Sequence, residues 1–409
     1  MKHLSLYIAA TTAAAALCAC DAEVPMVNLG IDDTYYIARM QKLDLHPALT
    51  GQSYRWSLVR PDGSAALLAT TRDYIFLTAE EGTYRLRFEI VDPATPYSFD
   101  FTISVLHEEI EYSPYIARVL EYCPAPGQFV NEMPRFEPGD TYADILQKAE
   151  ESITGKNDVM ITLGGFGGYV TFAFDHTVVN VPGEYDLRIW GNAFYELLQP
   201  DKKGGSAEPG IVSVSYDANC NGVADDPWYE LAGSEYASPA TRHAYSITYR
   251  RPDPSHKPVP DDDNSLSDTQ YIAWTDSDGA TGFMPKNYFH SQEYYPLWTD
   301  APELTFTGTL LAPNAVDLSG TGTYYVLYAY PYGYVDNHPN EYAELNSFKI
   351  DWAVDADGNP VALPGVDFVR VHTGVNQYCG WLGETSTELC RAQDLHLSDP
   401  TLLPPDPFE

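Results

Sequence analysis

Between Val24 and Leu106 apolar and polar residues alternate in short runs separated by turn signals. Tyr54-Arg55-Trp56-Ser57-Leu58-Val59 precedes a Pro61-Asp62-Gly63 turn. Tyr74 to Leu77 precedes Glu81-Gly82-Thr83, and Tyr84 to Val91 and Tyr97 to Val105 continue the pattern. A period of two puts every second side chain on one face, so these runs predict short antiparallel strands. Their spacing predicts a β-sandwich over 20–107. The stretch 108–138 is richer in charge and proline and reads as a linker. Asp140 or Thr141 then caps a helix running through Ala149, with Asp144 in its first turn, Ile145, Leu146 and Ala149 on one face, and Gly155 as a stop. Strand-like runs resume at Val159 to Leu163, Tyr169 to Phe174, Tyr185 to Trp190, Ile211 to Tyr216, Tyr245 to Tyr249, Tyr324 to Tyr330, Phe348 to Val354 and Phe368 to His372. Long irregular loops join them, which predicts a larger jelly-roll-like β-sandwich over 139–409. The fold class expected is all-β.

The first twenty residues break this alternation. A basic Lys2, an apolar run from Leu4 to Leu17 too short to span a bilayer, and Leu17-Cys18-Ala19-Cys20 predict a lipoprotein signal peptide over 1–19. Cleavage before Cys20 and acylation of its thiol would leave a lipid-anchored envelope protein. Asp21 and Glu23 resemble the acidic export signal that sends Bacteroidetes lipoproteins to the outer face of the outer membrane. The expected location is therefore the outer membrane, facing the cell exterior.

Net charge changes the list of partners. At −35 the surface repels phosphate backbones and anionic headgroups, which excludes nucleic acid and leaves the lipid as the means of membrane attachment. Beyond the signal region, Cys123, Cys220, Cys379 and Cys390 allow three pairings. Cys379 and Cys390 are close enough in sequence to close one loop, with free thiols as the alternative. No cysteine or histidine spacing points to zinc.

The sharpest chemical motif is Asp217-Ala-Asn219-Cys-Asn221-Gly222-Val223-Ala-Asp225-Asp226, with Glu230 beyond it. Calcium takes six to eight hard oxygens, and side chains at alternate positions with a glycine at the sixth can wrap one ion. Asp217, Asn219, Asn221 and Asp225 would supply side-chain oxygens and Val223 its carbonyl; the alternative is a polar turn. The flanks read as strands, so this is no EF-hand proper. Trp274-Thr-Asp276-Ser-Asp278-Gly279 and Val354-Asp355-Ala-Asp357-Gly358-Asn359 read as hairpin turns. Gly164-Gly165-Phe166-Gly167-Gly168 lacks the lysine and following helix of a phosphate loop and reads as close backbone packing at a sheet corner. No nucleophile signature appears. With 58 acidic residues an acid pair for glycoside hydrolysis always exists somewhere, so composition alone gives that reading no support.

Aromatic residues make up 13% of the chain, 31 of them tyrosine. Tyr294 and Tyr295 with Trp298, Tyr332 with Tyr334, and Trp381 fall in expected loops and are the candidate faces for a flat, amphipathic ligand. Tyr324, Tyr328 and Tyr330 alternate as strand residues do and read as core.

Several longer segments carry a resemblance. Tyr122-Cys-Pro-Ala-Pro-Gly-Gln-Phe-Val-Asn131, Gly164 to Val170, Trp190-Gly-Asn-Ala-Phe194, Glu208-Pro-Gly-Ile-Val, Trp228-Tyr-Glu-Leu-Ala-Gly-Ser234, Gly333-Tyr-Val-Asp-Asn337 and Gly374 to Thr385 resemble gut Bacteroidetes cell-surface proteins with an N-terminal PKD-like, immunoglobulin-like module. That group is associated with the BtuH-type surface lipoproteins, which bind vitamin B12 and related corrinoids. The resemblance implies a non-enzymatic receptor that passes a corrinoid to a TonB-dependent outer-membrane transporter. It assigns no corrinoid contact to any residue. The alternative is a calcium-containing glycan-binding surface protein.

Overall fold

The computed structural model describes residues 29–93, 96–107, 110–197 and 200–397; Cys18, Cys20 and the acidic residues after them lie outside the described residues. Among the described residues the chain is all-β, with one α-helix. Among the described residues no helix is long and apolar enough to cross a membrane. Chain contacts define two compact units, one drawn from 29–35, 45–74 and 85–102, the other from 36–44, 75–84 and 103 onward.

In the first unit Trp56 is fully buried and organises the core. Its ring centroid lies 4.6 Å from that of Phe88, 5.4 Å from Tyr74 and 6.2 Å from Phe101. Its indole N–H donates to the Thr71 carbonyl at 3.0 Å, which satisfies the one polar atom such a ring buries. Trp56, Leu86, Phe88, Phe101 and Ile103 are the inward positions of the alternating runs. They belong to one sheet in which Tyr97–Leu106, Gly82–Ile90, Tyr54–Val59 and Ala65–Ala69 are successive neighbours.

The second unit centres on a six-stranded antiparallel sheet. Its order is Ala353–Val354, Trp228–Leu231, Gly210–Ser215, Gly365–Thr373, Tyr169–Val179, Arg118–Cys123. One face buries Tyr122, Val170, Phe172, Val212 and Val371 against Leu187 and Ile189, Phe348 and Ala392 of a three-stranded sheet, with Ile145, Ala149 and Ile153 of the helix in the same cluster. The helix spans Tyr142–Ile153; Thr141 Oγ1 accepts from the Asp144 N–H while the Asp144 carboxylate accepts from the Thr141 N–H. A second core lies on a four-stranded sheet ordered Thr281–Asn287, Leu266–Asp276, Arg242–Arg250, Glu303–Leu310.

Four expectations need correction. The stretch 108–138 is not a linker throughout: Arg118–Cys123 is the edge strand of the six-stranded sheet, and Val119, Tyr122 and Val130 are core residues. Pro114, Pro124, Pro126 and Pro134 there are buried. No strand is expected between Tyr249 and Tyr324, yet Leu266–Asp276 is one: Leu266 pairs with Asn287 and Asp268 with Lys286, and the Asp268 carboxylate accepts from the Gln270 and Val259 N–H groups. The run Phe348 to Val354 is broken by a 3-10 turn at Ile350–Trp352. Cys123, Cys220, Cys379 and Cys390 are free thiols, so the Cys379–Cys390 loop is not closed.

Candidate functional site

Strand register builds the wall of the principal cleft. Tyr169 lies opposite both Cys123 and His372, and Thr171 lies opposite both Glu121 and Arg370. Direct cross-strand partners share a face, so these two rows form a patch on the side of the sheet away from the Val170 core. Leu304, Thr305, Phe306 and Thr307 supply the facing wall, Tyr142 enters from the start of the helix, and Pro296, Trp298 and Thr299 close one end. The enclosed volume is about 460 Å³, within the range of about 300–1,000 Å³ common for small-ligand sites.

Charge within this cleft is compensated. Arg370 Nε donates to Thr171 Oγ1 at 2.9 Å and its Nη2 to Glu121 Oε2 at 2.6 Å. Its guanidinium carbon sits 4.7 Å from the Tyr169 ring centroid and 4.3 Å from that of Trp228. His372 is buried, and burial lowers its pKa to about 4, so the imidazole is neutral. Burial raises the Cys123 thiol and, with the neighbouring Cys123, lifts Tyr142 to about 12. What remains accessible is aromatic surface with hydroxyl edges.

The Gly164–Gly168 loop packs as a sheet corner. A Cβ at Gly164 would lie 2.0 Å from the Ala125 carbonyl oxygen, and one at Gly168 would lie 1.9 Å from the Leu163 carbonyl oxygen. Gly167 abuts Phe306 of the cleft, with only 2.5 Å between a Cβ placed there and Phe306 Cβ.

Of the six aromatic residues expected to face a ligand, only Trp298 lines the cleft, its ring stacked at 6.5 Å on Tyr122. Tyr294, Tyr295 and Tyr334 are core residues. Each finds a partner for its hydroxyl group, which is how buried tyrosines are normally satisfied: Tyr294 donates to the His290 carbonyl at 3.1 Å, Tyr295 to the Ala301 carbonyl at 3.0 Å, and Tyr334 accepts from the Glu235 N–H at 2.9 Å. Tyr332 and Trp381 are 43% and 42% exposed, away from the cleft. Tyr332 lies against Trp352, and Trp381 donates to the Thr323 carbonyl. Tyr122, Tyr142, Tyr169 and Arg370 were missed as site residues, although Tyr122 and Tyr169 stand in the segments that carry the family resemblance.

The loop Asp217–Asp226 joins two paired strands, Gly210–Ser215 and Trp228–Leu231. It does gather the expected residues. Asp217 accepts from the N–H groups of Asn221 and Gly222 at 3.0 and 2.8 Å, Asn219 Oδ1 from Asn221 N–H at 2.9 Å, and Asn221 Oδ1 from Val223 N–H at 2.7 Å. The Asn221 amide reaches both Asp225 oxygens at 3.2 Å, and the Val223 carbonyl accepts from Asp225 N–H. The donor set is entirely hard oxygen and suits calcium in kind. Glu230 belongs elsewhere, on the strand, bonded by Thr309.

One further cluster was not foreseen. Glu208, Asp336 and Glu388 bring a carboxylate oxygen each within 4.8 Å of the others, a spacing one ion could span. Asp336 accepts from the N–H groups of Asn192, Ala193 and Glu388 at 2.6, 2.8 and 3.0 Å, and Glu388 Oε1 from Ser386 and Thr162 hydroxyls at 2.6 and 2.8 Å. Burial raises all three pKa values, and mutual repulsion adds to this at Glu208 and Glu388.

No protein-family model and no curated protein matches the chain. Among solved structures, a carbohydrate-binding module of the beta-sandwich superfamily aligns over 88% of this chain and 92% of its own at 11% identity, with a TM-score of 0.15. A SusE-like protein aligns over 89% of this chain and 96% of its own at 10% identity, with a TM-score of 0.22. Superpositions this poor decide neither fold nor function.

Proposed function

We propose that this chain is a non-enzymatic, lipid-anchored surface protein that binds a neutral glycan in the Tyr169 cleft. The observation that carries the reading is the chemistry of the lining: Tyr122, Tyr142, Tyr169, Trp298 and Phe306 surround threonine hydroxyls, while the only cation among the lining residues is already paired. A pyranose ring presents an apolar C–H face and a hydroxyl rim, which matches aromatic walls with polar edges. The thiol and imidazole in the cleft are held uncharged by burial, which suits binding rather than nucleophilic or general acid–base work. The all-oxygen loop Asp217–Asp226 would take calcium in a structural role, fixing the turn that leads into Trp228, whose ring packs on Arg370. Anchoring through Cys20 would place the cleft outside the cell.

A corrinoid is the second reading, favoured by one observation: neutral His372 lines the cleft, and imidazole is a good ligand for cobalt. Against it, a cavity of about 460 Å³ would hold only part of a corrin ring with its nucleotide loop. In that case delivery to a TonB-dependent transporter would follow. Calorimetric titration of the mature protein with a panel of neutral oligosaccharides and with cyanocobalamin separates the two. Saturable heat with a glycan whose affinity falls in Trp298→Ala supports the first. Heat with cyanocobalamin alone reverses the order, and silence with both overturns the assignment of the cleft.

A further inference from the structure

A second, smaller cavity of about 120 Å³ lies on the other side of the glycine loop, bordered by Gly165 and Phe166 where the cleft is bordered by Gly167. Its walls are the rings of Phe166, Tyr249, Trp274, Phe283 and Tyr378, with Glu384 as the one ionisable acid among the lining residues and no basic residue among them. Trp274 lies opposite Gly282 in the paired strands, and a Cβ at Gly282 would fall 2.3 Å from the indole, so the ring is held flat over that glycine.

Glu384 is only 5% exposed. Its Oε1 accepts from the Gln128 N–H at 2.6 Å, a close approach that requires Gly127, where a Cβ would stand 2.7 Å from the same oxygen. Its Oε2 has no hydrogen-bond partner among the described residues. Asn287, near Tyr378, already directs its amide hydrogens to Gln128 Oε1 and the Trp381 carbonyl. The titratable groups around Glu384 are Tyr249, Tyr294, Tyr378, Cys379, Glu208 and Glu388, none of which can supply positive charge. A buried carboxyl with one oxygen unpaired is costly, and a cation entering a ring-lined cavity answers both the carboxyl and the negative faces of the rings.

We propose that this cavity is a binding site for a compact organic ammonium group, with Glu384 as its counter-charge and Trp274, Tyr249 and Phe283 as cation–π walls. The site is separate from the glycan cleft and stands or falls independently of it. Burial raises the Glu384 pKa to about 8. Cation binding stabilises the carboxylate, so below that pH the ammonium must displace a proton.

The test is titration of the mature protein with choline chloride, read by calorimetry and tryptophan fluorescence, against sodium chloride at equal ionic strength and against 3,3-dimethylbutan-1-ol, the uncharged analogue. Saturable choline binding is expected, at least about tenfold tighter than the neutral analogue and strengthening by up to about tenfold per pH unit between roughly pH 6 and 8. Glu384→Gln should abolish it. Phe283→Ala, at a ring that is 47% exposed, should weaken it severalfold without moving the melting temperature. Equal affinity for the neutral analogue, or choline binding unchanged in Glu384→Gln, overturns the proposal. Should Glu384→Gln fail to fold, the neutral analogue, Phe283→Ala and proton release on binding decide it. Phosphatidylcholine vesicles form the second arm: binding to vesicles but not to free choline assigns the ammonium to a lipid headgroup, and binding to neither overturns the site.

Discussion

Arg370 Nη2 donates to Glu121 Oε2 at 2.6 Å across the intervening strand, so the cation of the principal cleft is neutralised before any ligand arrives. A ligand bound there gains little from long-range charge. Its affinity should therefore change by less than about twofold between roughly 0.05 and 0.5 M salt. Titration at the two salt concentrations checks this; a steep salt dependence would mean that the ligand is charged.

Trp298 closes one end of the cleft and stacks on buried Tyr122. Replacing it by alanine removes a ring from the ligand's side while Tyr122 keeps its bonds to the Met133 and Thr162 carbonyls. Binding should weaken by about 1–3 kcal/mol. The melting temperature should fall by only a few degrees, as measured by calorimetry on the unliganded protein.

Stability should fall as pH rises from about 6 to about 9. His176 has Nδ1 2.7 Å from Asp175 and Nε2 2.8 Å from Asp394. Burial alone would depress its pKa, but the bonds to Asp394 and Asp175 outweigh it and the net shift is upward. Glu384 at about 8, and Glu208, Asp336 and Glu388, are raised chiefly by burial. A group whose pKa is raised on folding holds its proton more tightly in the native state. Its contribution is full below the unfolded value and lost as pH climbs through the folded one. Histidine and carboxyls thus act in the same direction. Glu388→Gln should flatten the alkaline limb of the melting profile, and a wild-type melting temperature that climbs from pH 6 to 9 would refute the assignment.

Calcium binding at Asp217–Asp226 would stabilise the folded state alone, by about 2.7 kcal/mol at a hundredfold excess over Kd, so the melting temperature should rise with calcium. Asp217→Ala should remove that response. Identical curves in chelator and in calcium, with no metal found by elemental analysis, would leave the segment a polar turn closed by its own N–H groups.

Lipidation predicts that Cys20→Ala moves the protein from the membrane fraction to the soluble fraction or leaves its signal uncleaved. Labelling intact cells with a membrane-impermeant reagent tests the outward orientation, and complete protection would refute it.

Local pattern carried the elements well. Thr141 and Asp144 mark the helix start because capping is a contact between near neighbours, and the Asp276–Gly279 and Asp355–Gly358 turns follow from Asp side chains closing on the next N–H groups. The same locality explains the gathering of Asp217, Asn219, Asn221 and Asp225. The cleft was hidden because it is made by register: Tyr169 faces Cys123 and His372 only once three strands distant in sequence are paired. Tyr294 and Tyr295 misled for the opposite reason. A loop-like context suggested exposure, yet the segment folds onto the second core and its hydroxyl groups find carbonyls. Glu208, Asp336 and Glu388, each unremarkable among so many acids, acquire their character from burial and from being brought together by the fold.

The glycine loop stands between the two cavities, with Gly167 against one and Gly165 and Phe166 against the other. Phe166 is the one large side chain of that partition, its ring on the smaller cavity's side, while a Cβ at Gly167 would stand 2.5 Å from Phe306 Cβ. Each chamber can be retuned from its own far side, through Tyr142 and Trp298 in one and Trp274 and Phe283 in the other. The two specificities are free to drift apart while the wall between them stays fixed.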